Sequence, residues 1–379
     1  MLAPVTSASS VERITPDDPR YRAVIEKRFN RRFAARPDHV HLARSTNDVV
    51  AAVADAVREG RRLVVTSGGH CLEGFVSDPE VKVIVDVSPM SGISFDTARG
   101  AVCVEAGATV GQTFRALAEN WGVVVPLGEQ PAIGMGGHVA GGAFGFLCRQ
   151  LGLAADYLHA VEVVTVDGSG QPGVVVATRE PSDPNRELWW GLTGAGAGNF
   201  GVITRLWFRS PTAAGATGAA NAADAADITG AVFLPRAPDS ITTFRAEWSW
   251  DDIDRSAFSR LVQNHGIWSE RTASADSPYA SLWTLIELHR KQFGKLIVRG
   301  VSTAGDAAEQ QFDDFLAALG EGTVAASNRE WARCHGSRSR SIPSPTCSRC
   351  RRAVSASRRR TRCSRSGSPI ARSASRTTT

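Results

Sequence analysis

The apolar run Leu63-Val64-Val65 leads into Thr66-Ser67-Gly68-Gly69-His70, and further on the chain runs Gly128-Glu129-Gln130-Pro131-Ala132-Ile133-Gly134-Met135-Gly136-Gly137-His138. A strand ending in Ser-Gly-Gly lets backbone N–H groups come close to a pyrophosphate, because glycine has no side chain to hold the anion off and takes positive φ. The imidazole that follows is then held beside the cofactor. Neutral imidazole is nucleophilic and the 8-methyl carbon of an isoalloxazine ring is electrophilic, so His70 is placed to become a covalent tether. Together the two segments look like a flavin site.

Such loops need strands and helices to aim them, and the first two hundred residues alternate the two signals. Ser45-Thr46-Asn47-Asp48 opens an amphipathic run, Val49 to Arg58, with apolar positions three and four apart, which predicts a capped helix. Strands are expected over Arg61 to Val65, Val81 to Val87, Ala101 to Glu105, Leu158 to Val166 and Gly201 to Phe208. Helices are expected over Thr109 to Trp121 and after Asp183, the second with Leu188, Trp189 and Trp190 on its buried side. Residues 211–229, rich in Ala, Gly and Thr, have the composition of an exposed connection. Beyond it, Ile241 to Trp250 and Leu282 to Glu287 are strand-like and Ala308 to Leu319 is an amphipathic helix. The fold class is α+β, divided as 1–210, 211–332 and a tail, 333–379.

The charge follows the same division. The whole chain of 379 residues carries a formal net charge of +5. From Arg333 onward there are 13 arginines and no acidic residue, which leaves 30 basic against 38 acidic groups in residues 1–332. A basic pI would suggest nucleic acid as partner, but here the charge is confined to one low-complexity end without aromatic residues for stacking. That end, lacking Leu, Met, Phe, Tyr and Trp, is expected to be disordered. No specific nucleic-acid or membrane partner is expected. With no long apolar run and no leader, the expected location is cytoplasmic. Three scattered cysteines in the body (Cys71, Cys103, Cys148) make no disulfide framework, and the tail's single Cys347-x2-Cys350 pair makes no usual zinc module. No metal site is expected.

Five segments in order carry a resemblance to a known family. They are Ser67-Gly68-Gly69-His70-Cys71, Val104-Glu105-Ala106-Gly107-Ala108, Gly134 to Gly145, Gly152-Leu153-Ala154-Ala155-Asp156 and Gly196-Ala197-Gly198-Asn199-Phe200-Gly201. In them the chain resembles the berberine bridge enzyme-like oxidoreductases of the vanillyl-alcohol oxidase superfamily, near bacterial members that oxidise sugars and glycosylated natural products. The resemblance covers roughly residues 12–330. It implies a two-subdomain FAD-binding domain followed by an antiparallel-sheet substrate domain, here incomplete.

It also implies roles residue by residue. His70 matches the histidine that bonds the flavin 8α carbon. Ser67, Gly68 and Gly69 match the phosphate-cradling turn, and Gly134, Gly136, Gly137 and Gly142 the second loop lining the cofactor, with His138 beside it. Val163, Asn199 and Gly201 match the segments closing around the adenine and ribityl end. The implied reaction is oxidation of an alcohol or hemiacetal group of a sugar or glycosylated metabolite. A base takes the hydroxyl proton, hydride passes to flavin N5, and electrons go on to dioxygen or another acceptor.

Three departures matter. Many relatives carry Gly-x-Cys-Pro, whose cysteine makes a second bond to the flavin; Gly128-Glu129-Gln130-Pro131 stands there, and Gln130 has no thiolate. A single bond, through His70, is expected. Ile133 occupies a position where a small residue accompanies oxidase behaviour, which favours a slow oxidase or a dehydrogenase. Relatives also continue well past residue 330 and carry their catalytic base, often tyrosine, there. The switch to Arg, Ser, Pro and Cys at that point is what a frameshifted or truncated member would show, and the catalytic base is left unassigned. A catalytically inactive chain that at most binds flavin is the alternative.

Gly196-x-Gly198-x-x-Gly201 formally satisfies a dinucleotide fingerprint, but that motif needs a strand before it and a helix after it. The expected order here is the reverse. Trp189 and Trp190 are expected in the core, and Asp251-Asp252 in a solvated turn.

Overall fold

Short strands alternate with helices from the start of the computed structural model, which describes residues 11–194, 196, 198–212, 233–335 and 351–354. β1 (Glu12–Ile14), α1 (Tyr21–Ile25), β2 (His39–Leu42), α2 (Thr46–Arg58), β3 (Leu63–Thr66) and β4 (Val83–Asp86) form the first unit. Its sheet has the order β1-β2-β4-β3, with β2, β4 and β3 parallel and β1 antiparallel at the edge. The expected helix forms for the expected reason: Ser45 is extended, its side chain accepts from the Asp48 amide, and Val49, Ala52, Val53 and Ala56 are buried along one face. β4 lies between two strands and is buried at all four positions.

The second unit comprises β5 (Ile93–Asp96), β6 (Ala101–Glu105), α3 (Val110–Trp121), α4 (Met135–Ala140), α5 (Cys148–Leu151), β7 (Leu158–Val166), β8 (Pro172–Thr178), α6 (Arg186–Gly191) and β9 (Val202–Phe208). Its sheet is antiparallel throughout, in the order β5-β6-β9-β7-β8. Thr109 and Gln112 form a capping box at the start of α3, and Gly122 at φ +65 ends it. Glu162 of β7 is buried and ties the two units together, accepting hydrogen bonds from Thr46 at the start of α2 and from Thr204, each at 2.7 Å. α6 precedes the Gly196–Gly201 run and β9 follows it, the reverse of the dinucleotide fingerprint.

The third unit is a five-stranded antiparallel sheet, β11-β12-β10-β13-β14, built from β10 (Ser240–Ser249), α7 (Arg255–Arg271), β11 (Leu282–Glu287), β12 (Lys295–Ser302), α8 (Ala308–Leu319), β13 (Asn328–His335) and β14 (Arg351–Val354). One face packs on α7 and α8 through Phe244, Ala246, Trp248, Leu296 and Val298 against Leu261, Trp268, Phe312 and Phe315. The opposite face meets the second unit through a small cluster of Ile241, Trp283 and Val301 with Val124, Phe146 and Leu147.

Two expectations need correction. The boundary at residue 332 falls inside β13, whose pairing with β10 continues through His335, and Arg333 forms an ion pair with Asp306 at 2.8 Å. Backbone pairing decides a strand's extent, so an arginine-rich composition did not end the sheet. Trp190 is not core: it is 66% exposed at the end of α6, whereas Trp189 is half-buried and donates its indole N–H to the Leu158 carbonyl. The expected connection falls largely outside the described residues, as does the tail apart from 333–335 and 351–354. Among the described residues no helix is long and apolar enough to cross a membrane.

Candidate cofactor site

β3 delivers the Thr66–His70 turn at its C-terminal end, and the loop from Gly128 to Gly134 arrives against it from the second unit. The contact is backbone on backbone. A Cβ on Gly68 would stand 2.2 Å from the Ala132 carbonyl oxygen and 2.4 Å from the Gly134 nitrogen, and one on Gly134 would stand 1.8 Å from Ser67 Oγ. Only glycine fits at either place. Ser67 Oγ donates to the Ala106 carbonyl at 3.0 Å, at the end of β6. The loop is strapped to the same strand end: Val110 N donates to Ile133 O, Gly111 N to Pro131 O, Met135 N to Ala108 O and Gly136 N to Ala106 O.

Among the described residues, the amides of Gly68, Gly69 and His70 donate to no protein acceptor. Consecutive unpaired N–H groups on a glycine turn make a concavity suited to an anion. Gly69 holds the turn open at φ +72, with Phe29 N donating to its carbonyl at 3.0 Å. Beneath the turn lies Arg28, 9% exposed, which donates through Nη1 to Thr66 Oγ1 at 2.9 Å while its Nε and Nη2 have no partner. Burial lowers its pKa from the usual arginine value, with Asp86 the first opposing charge.

His70 is half-buried and stacks on Phe29, ring centroids 4.8 Å apart and 18° between planes. Burial lowers its pKa, so the ring is neutral near pH 7. Phe29, with Leu72 and Phe75 just beyond His70, is exposed by 60% or more, an apolar surround unusual for a solvated loop. His138, on α4, accepts a hydrogen bond at Nε2 from the Gly128 amide at 2.8 Å. Its pKa is pushed down to about 4, first by burial and then by nearby His70. A neutral ring accepting at Nε2 carries its proton on Nδ1. His138 thus fastens the loop, and a Cβ on Gly128 would lie 2.9 Å from the imidazole, which would have to shift.

The other expected residues divide. Gln130 is exposed and contributes its carbonyl to Ile133 N, while Ile133 packs against the main core. Gly136 packs on Ala106, but Gly137 faces open space. Gly142, at φ +97, leads toward a second concavity, since a Cβ there would stand 4.0 Å from the Thr193 carbonyl. That concavity, about 380 Å³, is lined by Trp190, Gly191, Thr193, Gly194, Gly196, Asn199 and Phe200. Gly201, at φ +141, presses on Val163 and the Val164 carbonyl. Val163 itself is wholly buried on β7, paired to β8 and β9, and its side chain backs Gly201.

A larger cavity, about 510 Å³, lies on the antiparallel sheet at Asp96, Arg99, Cys103, Glu105, Glu162, Arg205 and Trp207. Its charges are engaged with one another: Arg99 with Asp96 at 3.0 Å and Arg205 with Glu162 at 3.3 Å. None of the expected site residues lines it. The described residues contain no group of three or more His, Cys, Asp and Glu that could hold a metal.

Sequence reasoning missed Arg28 and Phe29, which sit in the arginine-rich run Arg28-Phe29-Asn30-Arg31-Arg32, where no motif singles them out. It also missed Glu129 as a bridge to the third unit's sheet: Arg299 of β12 donates to it at 3.2 Å and pairs with Glu287, whose other oxygen faces His289 Nε2 at 3.2 Å.

Free amides on a glycine turn, an apolar surround and a neutral imidazole fit a flavin dinucleotide. Residues 37–171 match the FAD binding domain model. Over 334 residues the chain is 43% identical to aclacinomycin-N/aclacinomycin-A oxidase of Streptomyces galilaeus, covering 86% of this chain and 58% of that protein. It is 31% identical over 256 residues to hexose oxidase of Chondrus crispus, covering 66% of this chain and 42% of that protein. The crystal structure of aclacinomycin oxidoreductase superposes with a TM-score of 0.77 at 42% identity, covering 86% of this chain and 63% of that one. A glycopeptide hexose oxidase solved with teicoplanin superposes equally, at 38% identity over 86% and 64% of the two chains. The chain thus spans about three fifths of the length of the first of these relatives and of both solved structures. By these matches and by its cofactor motifs, the chain belongs to the vanillyl-alcohol oxidase/PCMH family of FAD-linked flavoproteins, with the berberine bridge enzyme-like oxidoreductases.

Proposed function

We propose that the protein is an FAD-dependent oxidoreductase acting on an alcohol or hemiacetal group of a sugar or glycosylated natural product. The observation that carries this is the meeting of Gly68 with Gly134, which leaves three consecutive amides free beside a neutral histidine. The Gly68–His70 amides hold the pyrophosphate, and His70 holds the ring through a single covalent bond, since Gln130 offers no thiolate. Gly136, Gly137 and Gly142 border the cofactor, and Asn199 and Gly201 close its far end. Bound flavin supplies the two-electron acceptor for hydride from the alcohol carbon. The chain's own residues bind, orient and exclude water; the proton acceptor is unassigned. Dioxygen or another acceptor completes the cycle, with Ile133 favouring slow reaction with dioxygen.

The substrate class rests on relatives named as aclacinomycin and hexose oxidases. Anaerobic mixing of the flavin-loaded chain with free hexoses and with glycosylated aromatic polyketides tests it: loss of visible flavin absorbance supports the reading, and unchanged absorbance with all of them contradicts it.

A further inference from the structure

Arg28 is a buried cation without a counter-ion. Among the described residues its guanidinium bonds only the Thr66 hydroxyl and the Lys27 carbonyl, both through Nη1, and Asp86 acts only at longer range. An isolated charge taken out of water is strongly unfavourable unless something compensates it, and an apolar side chain of similar volume commonly does better. Its position suggests what does. The Lys27 carbonyl and the Arg28 Cα would lie 2.2 Å and 3.6 Å from a Cβ on Gly69, so the segment is pressed against the turn, and the guanidinium reaches Thr66, the residue before Ser67. A cation therefore sits beneath the same turn whose amides are free.

We propose that Arg28 is the counter-charge for the pyrophosphate of the dinucleotide, acting from beneath the Ser67–His70 turn. This rests on the reading that the turn holds the phosphates. Nε and Nη2 are sealed from solvent, so Arg28 acts through its field and through the Thr66 bond rather than by touching the cofactor. It is a positioning residue. A charge so enclosed is weakly screened by salt.

The test separates phosphate from ring. In a His70→Ala background, which keeps binding reversible, the affinities of the full chain for FAD and for phosphate-free riboflavin are measured by quenching of flavin fluorescence. Arg28→Met should weaken FAD binding about tenfold or more, equivalent to about 1.4 kcal/mol, and change riboflavin binding less than about twofold. The thermal midpoint of the unliganded protein should hold or rise, as expected when an uncompensated charge leaves the interior. Arg28→Lys should keep most of the preference for FAD. If Arg28→Met does not fold, Arg28→Gln, which can still donate to Thr66, takes its place as the neutral variant. Equal losses for FAD and riboflavin, or no loss for either, would overturn the proposal. Failure of the parent chain to bind either flavin would overturn the cofactor reading and this inference with it.

Discussion

The cofactor half and the sheet of the third unit are held by different means. Around the turn, backbone meets backbone: Gly68 on Ala132 and Gly134, and Gly69 on Lys27. On the sheet face away from α7 and α8, side chains form a lattice of charge. Glu247 pairs with Arg245 at 2.7 Å and Lys295 at 2.8 Å, Arg245 approaches Glu330, and Arg299 joins Glu287 to Glu129. A close backbone approach admits no substitution, whereas partly exposed ion pairs are individually weak. The cofactor half should therefore break at one methyl group, and the sheet should yield gradually.

Gly68→Ala is the strongest test of that contrast. Its Cβ meets two backbone atoms that cannot rotate away, so a loss of about 3 kcal/mol or more is expected in denaturant unfolding, together with loss of flavin. Comparable stability would mean that the turn is softer than its contacts imply.

Acid should act on the cofactor half next. His138 has its pKa lowered to about 4 from an ordinary value near 6.5, so the unfolded chain binds the proton more tightly. Its contribution is fully present above pH 6.5, is lost as pH falls toward 4, and changes little below; it amounts to up to about 3 kcal/mol. Buried His41 and His159, also held near 4, act in the same window. His138→Gln, which can still accept from Gly128, should flatten the fall in stability between pH 6.5 and 4 without abolishing it. An unchanged slope would place the His138 proton elsewhere.

The sheet should respond less. A double-mutant cycle of Glu129→Gln and Arg299→Met should give a coupling of about 0.5–1 kcal/mol in unfolding, as for other partly exposed pairs. A coupling beyond about 2 kcal/mol would show that charge, not backbone contact, holds the two units together. A similarly small effect, of opposite sign to the others, is expected at Gly137→Ala, in open space within α4, where helix propensity should add about 0.5–1 kcal/mol to the unliganded protein while flavin retention falls. Retention unchanged would remove Gly137 from the cofactor's border.

The same contrast explains what the sequence disclosed. Ser67-Gly68-Gly69-His70 and Gly134 to His138 were legible because a contact that excludes Cβ leaves glycines at fixed places. The helices α2 and α8 were legible through regular apolar spacing, and β7 and β11 through apolar runs. The helix α7 was not, since only Leu261 and Trp268 of its seventeen residues are buried. Arg28 was hidden among other arginines, and the Glu129–Arg299 bridge joins residues 170 apart that no local pattern connects.

The central claim is that flavin is held at the Ser67–His70 turn by one bond to His70. Acid precipitation of the purified full chain tests it most directly. Flavin absorbance in the pellet, moved to the supernatant by His70→Ala, is the predicted result. Flavin in the supernatant from the parent chain, or in the pellet from the His70→Ala variant, would contradict it.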